Sequence, residues 1–152
     1  MGENSFFQDG YAPPTAFYFQ VKFKGFPEMD CSFQEVSGLK VTVKVTEKRE
    51  GGENKLIHYL PSPSQYSDLV LKRCLINNSS LGQWCRNALE NFKFKPLDFQ
   101  VFLLGPNGKP MTSWTVFQAI PLSWELSALS STKNELAIET LTIKYKFFKK
   151  DN

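Results

Sequence analysis

The run Phe17–Phe26, FYFQVKFKGF, alternates apolar and polar residues with a period of two. Phe17, Phe19, Val21 and Phe23 fall on one side, and Tyr18, Gln20, Lys22 and Lys24 on the other. Successive side chains of a strand point to opposite faces, so this is the pattern of a half-buried strand. It returns in LKVTVKVTEK, where Val41, Val43 and Val45 oppose Thr42, Lys44 and Thr46. It returns again near the C-terminus, where Leu141, Ile143, Tyr145 and Phe147 oppose Thr140, Thr142, Lys144 and Lys146. SDLVLKRCL, LDFQVFLL and SWTVFQAIPLSWEL read as further strands, the last bent or placed at an edge by Pro121. GPNGKP is a turn cluster between two of them.

One segment has a different period. In SSLGQWCRNALENF, Leu81, Trp84, Cys85, Ala88, Leu89 and Phe92 form a stripe at helical spacing. Ser80, followed three positions later by Gln83, has the form of a capping box, and Pro96 bars the helix from continuing. Strands, one helix, then strands predict a mostly-β fold, a small sandwich or barrel with the helix packed on it. Residues 1–15 are polar, with Gly10 and Pro13-Pro14, and are expected to form a flexible arm ahead of a domain spanning 16–150.

The chain has 152 residues, enough for one domain with its own core. A net charge of +3, spread along the chain, does not argue for nucleic acid. No apolar run reaches membrane-spanning length, and the N-terminus lacks a signal-peptide core, so synthesis in the cytoplasm and no membrane anchor are expected. Cys31, Cys74 and Cys85 are odd in number and lack metal-site spacing. The sole histidine, His58, sits in the apolar LIHYL and reads as structural. Neither GPNGKP nor REGGENK has the order of a phosphate loop, and no nucleophile is paired with a base. No catalytic residue, metal or cofactor is therefore expected.

Four ordered stretches resemble the T4-like phage tail tube proteins. The first is FQEVSGLKVTVKVTEKREGGENK, with Glu35, Val36, Ser37, Gly38 and Leu39 at its head. LPSPSQYSDLVLKRCL and LGQWCRNAL follow in the family's order, and the closing strands run through SWTVFQAIP to ETLTI. Ser62 and Ser64 stand where many members have glycine and a basic residue.

The resemblance implies a structural protein of the inner tube of contractile tails and related toxin-delivering injection systems. Its subunits form hexameric rings that stack into a hollow tube and join their sheets around the lumen. A contractile sheath, a baseplate or tube initiator, and cargo in the lumen are the implied partners. The place of action is an assembled phage tail or extracellular particle. Thr42, Lys44, Thr46, Thr140, Thr142, Lys144 and Lys146 become candidates for the lumen wall. The loop Arg49, Glu50, Gly51, Gly52, Glu53, Asn54 and Lys55 becomes a candidate contact with a neighbouring subunit or ring. Its glycines permit a tight turn, and its mixed charges suit register between identical copies. Two other readings stand beside this one: an adapter ring joining tube to baseplate, and a monomeric β-barrel that binds a ligand or nucleic acid.

Overall fold

Strand β10, Pro110–Leu126, is long enough to serve two sheets. The computed structural model describes residues 18–49, 57–76, 79–129, 132 and 137–151, so the expected arm lies outside them. In chain order the other strands are β1 (Tyr18–Phe23), β2 (Cys31–Phe33), β3 (Glu35–Ser37), β4 (Val41–Thr42), β5 (Val45–Arg49), β6 (Ile57–Pro61), β7 (Gln65–Tyr66), β8 (Leu69–Cys74), β9 (Leu97–Leu104), β11 (Ile138–Lys144) and β12 (Phe147–Asp151). Helix α1 spans Ser80–Leu89. The first half of β10 pairs with β9 and β12, and from Ile120 to Leu126 it pairs with β11. Its ladder is irregular between Val116 and Ala119 and again between Pro121 and Ser123. Bulges bend a strand and raise its twist, which carries β10 from one sheet into the other.

The strand order is β2-β1-β9-β10-β11-β8-β3. Its two ends, β2 and β3, are separated in sequence by Gln34 alone, whose N–H donates to the Lys72 carbonyl at 2.9 Å. The path therefore closes on itself as a small barrel. Inside it, Val21, Phe99, Val101, Leu69, Leu71 and Ile143 are fully buried. The Phe23 ring meets Trp84 edge-on at 5.6 Å and Phe99 at 5.1 Å. Burying each such side chain contributes about 1.5–3 kcal/mol, which makes this cluster the main source of stability.

A helix of ten residues is marginal alone and depends on its apolar face. Leu81, Trp84, Cys85 and Ala88 are buried as the spacing predicts. Leu89 and Phe92 are not core residues: Leu89 is 38% exposed, and Phe92 lies beyond the helix, 82% exposed. The stripe is cut short because the Lys93 N–H turns back to the Asn87 carbonyl at 2.8 Å, with Phe92 at φ +54°. The cap also differs from expectation by one residue. Ser79, not Ser80, is the N-cap, and its Oγ accepts from the Gly82 N–H at 3.0 Å.

The second alternating run does not join the barrel. Gly38, at φ +94°, turns the chain out after β3. A Cβ there would overlap the Asp68 carbonyl, so only glycine fits. From Val41 the chain forms two short strands, β4 and β5, which pair with β7 and β6 as an interrupted hairpin. Val41, Val43 and Val45 are all exposed, contrary to the reading of one strand with a buried valine face. His58 is an exposed residue of β6, opposite Lys48, and not part of an apolar interior.

Candidate assembly surfaces

Strands β3, β8, β11 and the second half of β10 form a four-stranded face with one side in the core. Leu71, Leu141 and Ile143 point inward. On the other side, Thr140 sits between Lys72 and Glu125, and Thr142 between Val70 and Ser123. Lys72 lies 4.0 Å from Glu35, and Lys144 lies 3.3 Å from Asp68 as an ion pair without hydrogen-bond geometry. The structure thus brings Thr140, Thr142 and Lys144 together on one polar wall. Lys146 falls past the end of β11, where its N–H donates to the Phe117 carbonyl at 3.0 Å. Thr42, Lys44 and Thr46 are not on this wall. They belong to the hairpin, with Thr46 opposite Leu60.

The margins of the wall are open. Among the described residues, β10 from Pro121 to Leu126 has a ladder partner on one side only, and so has β3. Unpaired strand edges invite pairing with another chain. In the motif Glu35–Leu39, Glu35 and Ser37 face the polar side. Val36 and Leu39 pack against the core, and Gly38 makes the turn.

The hairpin is anchored at its root, where Tyr66 packs on Tyr145 and Phe148 at 6.0 and 5.3 Å. Beyond the root every residue of β5 and β6 is exposed. Cross-strand register puts Val45, Tyr59 and Ile57 on one face, with Val45 52% and Tyr59 62% accessible. An isolated two-stranded ribbon is marginal in water, and this one shows apolar side chains to solvent. Arg49 ends β5, exposed, while Glu50, Gly51, Gly52, Glu53, Asn54 and Lys55 lie outside the described residues.

A buried ion pair braces the base of the wall. Arg73 and Glu139 are 3% and 6% exposed. Arg73 Nε lies 3.4 Å from Glu139 Oε2 without hydrogen-bond geometry, and Nη2 donates to Glu139 Oε1 at 3.5 Å and to Ser79 Oγ at 3.2 Å. Glu139 also accepts from the Ile76 N–H at 3.1 Å and Trp124 Nε1–H at 3.4 Å. The pair therefore joins β8, α1, β11 and β10. Reading the sequence by residue type missed it, although alternation held the signal: Arg73 follows Leu69 and Leu71 at inward positions, and Glu139 precedes Leu141 and Ile143. Burial pushes the Cys31 and Cys85 thiols up to about 12, so both stay protonated near neutrality. Among the described residues, no cluster of His, Cys, Asp or Glu could hold a metal, and no helix is long and apolar enough to cross a membrane.

The barrel, its open-edged polar wall and the ordered motifs coincide with a family match. The family described as T4-like virus tail tube protein gp19 matches residues 15–149. The chain belongs to this tail tube family. Among solved structures, this tail tube protein is 30% identical to a chain in the anti-feeding prophage baseplate, 6-fold symmetrised, with a TM-score of 0.78 over 93% of this chain and 95% of that one. It shares its fold with a chain in the sheath-tube complex of an extracellular contractile injection system, PVC, in the extended state, at 20% identity, TM-score 0.74 and coverage of 99% and 98%. Hcp1 from Salmonella typhimurium has the same fold at 11% identity, TM-score 0.54, covering 88% and 85%. No curated protein sequence matches the chain.

Proposed function

We propose that this tail tube protein is the repeating subunit of a hollow tube in a contractile injection system, and that it acts by assembly and not by catalysis. Copies close into hexameric rings, and the rings stack. The open edge of β10 in one copy adds to the open edge of β3 in the next, so the polar wall becomes a continuous channel lining of Thr140, Thr142, Lys72 and Lys144. Cargo passes along it, a surrounding sheath drives the tube into its target, and a baseplate nucleates it. The particle works as an assembled phage tail or outside the producing cell.

The observation that carries this reading is the β5–β6 ribbon, whose Val45, Ile57, Tyr59 and Leu60 are exposed in the single chain. A second copy is the surface that covers them. The cleft beside β10, about 860 Å³, mixes apolar Leu75, Ile76, Leu89 and Trp124 with polar Gln83, Arg86 and Glu90 and lies next to the open edge. The segment from Arg49 to Lys55, which joins β5 to β6 in sequence, contacts the neighbouring ring through its charges. Glu50→Lys with Glu53→Lys leaves the subunit folded and impairs stacking.

An adapter ring is the second reading, favoured by the 30% identity to a chain from a baseplate. Negative-stain electron microscopy over a concentration series separates the two. Tubes of uniform diameter that lengthen with concentration support the tube subunit. Single rings at every concentration support the adapter. A monomer throughout refutes both.

A further inference from the structure

The loop after α1 holds an exposed aromatic pair that the barrel does not need. Phe92 is 82% exposed and sits at φ +54°, a conformation that a bulky L residue rarely adopts. Its ring meets Phe94 edge-on at 5.0 Å and 87°. The loop is fixed at both ends: the Lys93 N–H donates to the Asn87 carbonyl at 2.8 Å, and Trp84 Nε1–H donates to the Lys95 carbonyl at 2.9 Å. Lys95 Nζ lies 4.1 Å over the Phe26 ring. A strained, solvent-facing aromatic on a pinned loop is a preorganised contact, since little freedom remains to be lost on binding.

Its position and charge narrow the partner. Leu81, Trp84 and Cys85 of α1 share one core with Leu69, Leu71, Leu141 and Ile143, the inward residues of the four-stranded wall. The helix therefore packs on the core side of the wall and not on its polar face. If that wall lines the channel, Phe92 faces the outside of the tube. Lys93 and Lys95 flank the rings, and among the described residues neither has a carboxylate in ion-pair reach. The nearby acids are engaged: Glu90 is 3.9 Å from Arg86, and Asp98 accepts from the Gln118 N–H at 2.9 Å.

Resting on the tube reading, we infer that Phe92 and Phe94, with Lys93 and Lys95, form the knuckle on which the sheath subunit docks through an apolar pocket rimmed by carboxylates. One aromatic contact per subunit is weak alone. Repeated on every subunit, it holds a sheath in register by avidity, yet each contact is small enough to release when the sheath contracts.

Phe92→Gly tests this, because glycine accepts the positive φ while the ring is lost. Tubes of this variant and of the parent chain are assembled with the particle's own sheath protein and imaged by electron microscopy. The inference expects ordinary tubes, an undiminished melting temperature and sheath occupancy lower by about tenfold or more, the scale of losing a central aromatic anchor. Lys93→Glu with Lys95→Glu lowers occupancy too and leaves tubes intact. Full sheathing of Phe92→Gly tubes overturns the inference. Loss of the tubes themselves also overturns it, by making the knuckle a contact between copies. Absence of tubes from the parent chain removes the tube reading and this one together.

Discussion

The segments 41–46 and 140–146 have nearly the same sequence pattern and opposite fates. Both alternate apolar residues with threonine and lysine. In β11 the apolar side is sealed, with Leu141 and Ile143 buried between β8 and β10. In β4 and β5 the valines stand in solvent, and each strand has a single partner. Alternation specifies a strand and the side it will bury. It does not say whether the burying surface belongs to the same chain. For the barrel it does; for the ribbon it belongs, on the account above, to another copy.

The contrast becomes quantitative when substitutions are ranked by their effect on the isolated subunit. The largest loss belongs to the barrel's buried pair. Arg73→Ala leaves the Glu139 carboxylate buried and is expected to lower unfolding free energy by about 3–5 kcal/mol in urea titrations. Arg73→Met with Glu139→Leu, which removes both charges, restores most of it. Gly38→Ala forces a Cβ onto the Asp68 carbonyl and should cost about 2–3 kcal/mol by the same measurement.

Alkaline pH gives a graded effect. Cys31 and Cys85 titrate at about 12 when folded against an ordinary value of 9.0, chiefly because burial disfavours the thiolate. The unfolded chain therefore loses these protons first, and stability falls as pH rises from about 9 toward 12. Urea midpoints followed across that range should decline, and the slope should be shallower for Cys85→Ala. The smallest effect on the subunit belongs to the ribbon. Tyr59→Ser with Leu60→Ser removes exposed side chains and should change monomer stability by less than about 0.5 kcal/mol, while abolishing tubes in sedimentation assays. A large loss of monomer stability from that pair would mean that the ribbon is buried within its own chain, and the comparison would collapse.

The legible parts of the fold are those where local pattern and global packing agree. The strand at 18–23, the turn at 105–110, the bend near Pro121 and the helix stripe from Leu81 to Ala88 all follow from spacing and turn chemistry. That Gly38 ends a strand is legible, but that the chain then leaves the barrel is not, because the turn is set by a backbone contact with Asp68, thirty positions away. The exposure of Leu89 and Phe92 was hidden because helical spacing continues in the sequence after the hydrogen bond at Lys93 has ended the helix. That Thr140, Thr142 and Lys144 share one polar face follows from alternation. Thr42, Lys44 and Thr46 were grouped with them because residue type cannot tell a barrel wall from a ribbon.

Hydrogen–deuterium exchange of the ribbon, compared between free subunits and assembled tubes, tests the central claim most directly. Fast exchange of the β5 and β6 amides is expected in the free subunit, as befits an uncovered hairpin, and strong protection in tubes, with β8 and β11 already protected in both. Equal exchange of β5 and β6 in the two states would contradict it, because the exposed apolar ribbon would then have no partner in the tube.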